Sequence, residues 1–109
     1  IVSEYVVDAN KCISNLTIEN KKEIPEKFKE HFDNWIFGCD VCQDVCQWNE
    51  KFSLTTGLKE FEPVDGKTSL TFSEVNKMNE EEFRIRFKDS PIKRTKLTGL
   101  KRNAKFVGE

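Results

Sequence analysis

The chain has 109 residues, 37% of them hydrophobic and 34% charged, and a net charge of −1. That length allows one domain at most, with a small core under a highly charged surface. Its longest apolar runs are a few residues, far short of the roughly 20 that a membrane-spanning helix needs.

The start, Ile1-Val2-Ser3-Glu4, has no basic lead, no apolar stretch after it and no initiating Met. It does not read as a secretory signal, and an excised piece of a cytoplasmic protein is expected. Val2, Tyr5, Val6 and Val7 are strand formers and predict a short strand over Ile1 to Val7. Asp8 or Asn10 then caps a helix predicted from near Lys11 to Ile18, with Ile13, Leu16 and Thr17 as its buried stripe. Cys12 falls in its first turn, where backbone N–H groups suit a negatively charged sulfur. Pro25 suits the first position of a second helix running to about Phe32, with Ile24, Phe28 and Phe32 on its inner face. His31 reads as a surface histidine, because the chain has no second His to share a metal with it.

Gly38 is expected to take a positive φ just ahead of Cys39. Residues 51–69 read as a connection with little regular structure, including a turn at Val64-Asp65-Gly66-Lys67. Helical spacing resumes at Ser69, where Leu70, Val75 and Met78 line a short helix capped by Thr71 or Ser73. Asn79 and Glu82 form a capping box for a helix to about Phe87, with Phe83 and Phe87 as its inner face. Ser90-Pro91 stops that helix, and Leu100, Ala104 and Val107 mark a last helical segment after Gly99. The expected fold is mainly α with a short strand. It comprises an incomplete ferredoxin-like α+β segment over 1–50, a loop connection over 51–69 and a helical C-terminal segment over 70–109.

Cys39, Cys42 and Cys46 stand three and four residues apart, and Cys12 lies 27 residues ahead of Cys39. Thiolates so close repel one another unless a shared metal or cluster supplies positive charge. Four cysteines in a small chain also admit disulfides, and Asn15-Leu16-Thr17 is a formal glycosylation sequon. Zinc accepts four thiolates too, although its modules usually present two C-x2-C pairs. The string Cys39-x2-Cys42-x3-Cys46 matches the second half of a bacterial ferredoxin run, whose last cysteine serves the other cluster. Gln47 replaces the proline that normally follows. Spacing thus favours iron–sulfur ligation and leaves zinc and disulfides open.

Charge is unevenly placed. Residues 1–92 carry 12 Lys/Arg against 18 Asp/Glu, whereas Lys93, Arg94, Lys96, Lys101, Arg102 and Lys105 follow with no acid among them. Such an end is either a solvated helix face or a polyanion contact.

Beyond the cysteines, three longer strings carry a family likeness. They are Cys12-Ile13-Ser14 with Leu16-Thr17-Ile18-Glu19, Asn34-Trp35 with Phe37 to Asp40, and Phe83-Arg84 with Arg86-Phe87 and Ser90-Pro91-Ile92. Together with Gly99-Leu100 and Arg102-Asn103-Ala104, they resemble the epoxyqueuosine reductase family over nearly the whole chain. The resemblance implies an oxidoreductase of tRNA modification that reduces epoxyqueuosine at the wobble position to queuosine. It implies a cobalamin and two 4Fe–4S clusters in the full-length protein. It also implies that Cys12, Cys39 and Cys42 ligate one cluster and Cys46 the other. The family's other four cysteines, its cobalamin domain and its catalytic acid would lie ahead of Ile1, and a helical-repeat region would begin near the chain's end. On that footing the chain alone is expected to be inactive, holding no cluster or a makeshift metal site built from all four thiols. Lys93, Arg94, Lys96, Lys101 and Arg102 become candidate contacts for tRNA phosphates. A stand-alone ferredoxin-type carrier and a zinc-stabilised nucleic-acid-binding module are the alternatives.

Overall fold

In the computed structural model, residues 1–63 and 67–108 are described. The centre of the turn expected at Val64-Asp65-Gly66-Lys67 lies outside them. The α-helices are α1 (Ile13–Ile18), α2 (Val41–Asp44), α3 (Gln47–Phe52), α4 (Phe72–Lys77), α5 (Glu80–Arg86) and α6 (Lys96–Gly108). Short 3-10 turns occupy Ala9–Lys11, Glu26–His31, Lys59–Phe61 and Pro91–Thr95. Packing divides the chain into two units. Ile1–Cys39 joins the chain from Phe72 onward, and Asp40–Thr71 forms the other unit. Within the first unit, α6 packs against α1.

The strand expected over Ile1 to Val7 does not form. Among the described residues, β pairing is limited to one antiparallel bridge between Ser3 and Val6. The Val6 N–H donates to Ser3 C=O and the Val2 N–H to Val6 C=O, both at 3.0 Å. Tyr5 sits between them with φ +59°, so the segment folds back on itself. Strand propensity without a second edge to pair with makes no ladder. The described chain is mainly α, and no ferredoxin-like sheet is present in it.

The first expected helix is split. Asp8 caps the 3-10 turn by accepting the Asn10 N–H at 3.0 Å, and α1 begins only at Ile13, with Cys12 as its N-cap. The second is a 3-10 turn with Pro25 flanking it, cut short at Asp33, where φ is +45°. Tight turns of this kind suit short connections. They still bury the expected residues: Phe32 is fully buried, and Leu16 and Ile24 pack with it. Ile13, Phe28, Phe106 and Val107 cover that cluster, with the Phe32 and Phe106 rings edge to face at 5.0 Å.

Val75, Met78, Phe83, Phe87, Leu97, Leu100 and Ala104 supply the rest of the buried apolar surface. The capping box is formed as read from the sequence: the Glu82 N–H reaches Asn79 Oδ1 at 2.8 Å, and the Asn79 N–H reaches Glu82 Oε2 at 3.1 Å. Phe83 and Phe87 meet at 5.1 Å on the inner face of α5. Leu70 falls outside α4, which starts at Phe72. Arg86 ties α5 to Glu74 of α4 at 3.6 Å.

In the second unit, α2 and α3 bury no residue. The Asn49 side-chain amide joins them by donating to Gln43 C=O at 3.1 Å and Gln43 Oε1 at 2.8 Å. Trp48 and Phe52 stack at 5.5 Å, and Lys51 Nζ lies 5.4 Å from the Phe52 ring. Among the described residues of both units, no helix is long and apolar enough to cross a membrane.

α6 begins three residues before Gly99, so this glycine lies inside the helix. A Cβ there would collide with Thr95 Oγ1, which donates to Thr17 C=O at 2.9 Å. In a free helix, Gly to Ala gains about 1 kcal/mol. Here crowding of a packed site costs about 1–3 kcal/mol, so Gly99→Ala is expected to lower the urea midpoint. A raised midpoint would show that Thr95 yields without loss.

Candidate metal centre

Cys12 occupies the N-cap of α1 in an extended conformation (φ −88°, ψ 122°). Its N–H donates to Ala9 C=O at 3.1 Å and its C=O accepts the Leu16 N–H at 2.9 Å, so its backbone closes the 3-10 turn and opens the helix. The sulfur takes no part in capping. Cys12 therefore precedes the first turn in which the sequence had placed it.

Cys39 follows Gly38, whose φ is +73° as expected. The Gly38 N–H donates to Thr17 Oγ1 at 3.0 Å, and the same hydroxyl donates back to Ile13 C=O at 2.9 Å. The residue before Cys39 is thus tied to the helix that Cys12 caps. Thr17 is fully buried, and its carbonyl is one of those that a helix end leaves without an intrahelical partner. Two donors fill it: Thr95 Oγ1 at 2.9 Å and Asn103 Nδ2 at 2.8 Å. Asn103 Nδ2 also donates to Ile36 C=O at 2.8 Å, two residues before Gly38.

Arg102 completes this anchor. Its guanidinium donates to the carbonyls of Asn20 (2.6 Å), Lys22 (2.9 Å) and Leu16 (3.0 Å), and to Asn103 Oδ1 at 2.7 Å and 3.0 Å. Burial holds its pKa below the ordinary arginine value, and the charge of Glu23 opposes that fall. Thr17, Thr95 and Asn103 are the buried polar residues, and among the described residues no buried side-chain polar atom lacks a partner.

Cys42 and Cys46 belong to the second unit. Cys42 lies within α2 and is exposed; Cys46 is the half-buried N-cap of α3, again without a side-chain capping bond. All four cysteines are free thiols. Among the described residues, no group of three or more His, Cys, Asp or Glu side chains is gathered to hold a metal. The donors therefore suit a thiolate-held metal in kind, while each unit by itself presents only two of them. His31 is exposed.

The basic residues have different neighbours. Arg94 Nε pairs with Glu19 Oε1 at 2.7 Å in an exposed position, and Lys93 Nζ donates to Lys88 C=O at 3.1 Å. Lys96 is exposed and Lys101 half-buried. The anchoring roles of Thr95 and Asn103 were not read from the sequence. The only local signal was a buried-stripe position at Thr17, and its partners lie 78 and 86 residues away.

Asn103→Leu keeps the branching at Cγ, enlarges the side chain and removes both Nδ2 donors, leaving Ile36 C=O without this partner. A buried carbonyl left unsatisfied costs about 1–3 kcal/mol, so the urea midpoint should fall by that equivalent. An unchanged midpoint would mean that water replaces the amide.

Residues 1–49, which include all four cysteines, match the family described as a 4Fe-4S double cluster binding domain. The chain is 50% identical over 107 residues to an epoxyqueuosine reductase of Cellulophaga algicola, covering 98% of this chain and 35% of that protein. It is 49% identical over 108 residues to an epoxyqueuosine reductase of Leadbetterella byssophila, covering 99% of this chain and 35% of that protein. With an epoxyqueuosine reductase of Pseudomonas aeruginosa it shares 42% identity over 93 residues, 85% of this chain and 26% of that protein. No solved structure is significantly similar to it. By sequence the chain is similar to the epoxyqueuosine reductases, and it spans about a third of the length of these curated relatives.

Proposed function

We propose that this chain supplies part of the iron–sulfur ligand set of an enzyme that reduces epoxyqueuosine in tRNA to queuosine. What carries the reading is the match of residues 1–49 to a double-cluster domain, with four free thiols inside that span. In this reading Cys12, Cys39 and Cys42 serve one 4Fe–4S cluster and Cys46 serves the other. Bound clusters of this kind supply one-electron transfer. The chain's own part is to hold the sulfurs. α1 presents Cys12, the Thr17–Gly38 bond fixes the backbone ahead of Cys39, and α2 and α3 carry Cys42 and Cys46. The cobalamin and the catalytic groups of the full-length protein are assigned no residue here, and the protein is read as cytoplasmic.

Iron, sulfide and zinc analysis of the full-length protein tests this assignment. Cys39→Ser should lose about half of the iron and sulfide, with the remainder assigned to the cluster that Cys46 serves. Zinc in place of iron, with no acid-labile sulfide, would overturn it.

The substrate in this reading is tRNA, and Lys93, Arg94, Lys96 and Lys101 face its phosphates. Arg102 is assigned instead to the anchor, since its guanidinium donates to three backbone carbonyls. Charge reversal separates the two roles. Arg94→Glu loses an exposed ion pair, which costs about 0–1 kcal/mol, and should weaken tRNA binding and flatten its salt dependence. Arg102→Glu should lower the unfolding midpoint before any binding effect is seen. Equal stability of the two variants, measured in urea, would return Arg102 to the surface group.

A further inference from the structure

A cavity of about 680 Å³ lies in the first unit beside α5 and the start of α6. Its size falls in the range of small-molecule sites, roughly 300–1,000 Å³. Phe83 and Phe87, both largely buried, give it an apolar wall, and Arg84, Lys88, Lys93 and Lys96, all exposed, add cations to its lining. Only Lys93 and Lys96 of these belong to the basic end; α5 and its C-terminal continuation supply the other two.

The charges are poorly compensated. Glu80 and Glu81 also line the cavity, so four cations face two carboxylates. Ion pairs join Lys29 to Glu26, Arg86 to Glu74 and Arg94 to Glu19, and among the described residues none involves the four cations of the cavity. Lys93 Nζ holds Lys88 C=O at 3.1 Å, which fixes the two lysine-bearing segments beside each other. A solvated helix face would scatter its lysines over open surface. Here they converge on a cavity with an aromatic wall, the combination that single-stranded nucleic acids use: phosphate on cations, base against a ring.

The geometry points to a subsite for one unpaired nucleotide of RNA, its phosphate among Arg84, Lys88, Lys93 and Lys96 and its base over an apolar floor to which Phe83 and Phe87, each 6% exposed, contribute their small uncovered parts. This assignment rests on the reading of the protein as one that acts on tRNA, and it names where part of that RNA is held. A paired base, stacked within an A-form helix, would first have to be unpaired and unstacked to enter.

The test uses the full-length protein and fluorescein-labelled tRNA, followed by anisotropy across a salt series. The double variant Arg84→Gln/Lys88→Gln should bind about tenfold more weakly, with the salt slope reduced by about 1–2. Its urea midpoint should match that of the wild type. Lys105→Gln removes a charge from the same basic end without touching the cavity and should change affinity less than about twofold. Equal weakening per charge in the two variants would assign the effect to diffuse charge and overturn the subsite. A short unpaired oligoribonucleotide should also bind more tightly than its own duplex; equal affinity would overturn the base contact. If the wild-type protein binds no tRNA at all, the tRNA reading itself fails, a result distinct from both.

Discussion

The carbonyl of Thr17 is where the first unit closes. It stands at the end of a six-residue helix, too short to be stable in isolation, and it accepts from Thr95 and Asn103 near the other end of the chain. Each such bond contributes only about 1 kcal/mol net, but leaving the group empty costs more than making the bond gains. The register between α1 and α6 is therefore set by what a mismatch would cost. The Phe32–Phe106 contact adds apolar area across the same two parts of the chain, while the polar anchor specifies one alignment. Through the Thr17 hydroxyl, that alignment reaches the backbone immediately before Cys39.

Local features were legible in the sequence where a local interaction decides them. The Asn79–Glu82 capping box, the Phe83–Phe87 inner face and the positive φ of Gly38 each depend on residues within four positions, and each is present. The strand at Ile1 to Val7 was misread because strand propensity says nothing about whether an edge is available. Helical spacing marked Ile24, Phe28 and Phe32 as one face, and those residues do pack, but around a 3-10 turn. Ile24 and Phe32 flank the Glu26–His31 turn, and three residues per turn would set positions four apart on different faces, so the three meet through the chain on either side of the turn and not along one helical face. The cysteine string pointed to iron–sulfur chemistry, which the double-cluster match supports at the level of the domain; which sulfur serves which cluster stays within the proposal.

The basic end shows how composition can merge unlike residues. Arg102 and Lys105 are three positions apart on one helix, yet one is half-buried among carbonyls and the other is exposed. A planar fork of donors suits the frayed carbonyls of a helix end, which a lysine point charge could not fill together. What the acid-free run can offer a polyanion is correspondingly smaller than its charge count. It is partly restored by Arg84 and Lys88, which lie on the acidic side of the sequence boundary and line the same cavity as Lys93 and Lys96.

The second unit poses the opposite problem to the first. α2 and α3 have four and six residues and bury none of them, while Trp48 is 74% exposed. Helices of that length do not persist on propensity alone, and one amide link between Asn49 and Gln43 with one aromatic stack is modest support. Cys42 sits inside the first of these helices and Cys46 begins the second. Where ligands come from segments this weakly held, the free energy of metal binding is also free energy of folding. In the proposed reading, ordering Asp40 to Phe52 and loading the sulfurs are then one equilibrium. The half-site on the first unit differs in kind, because the backbone next to Cys12 and Cys39, at Ile13 and Gly38, is already held by Thr17.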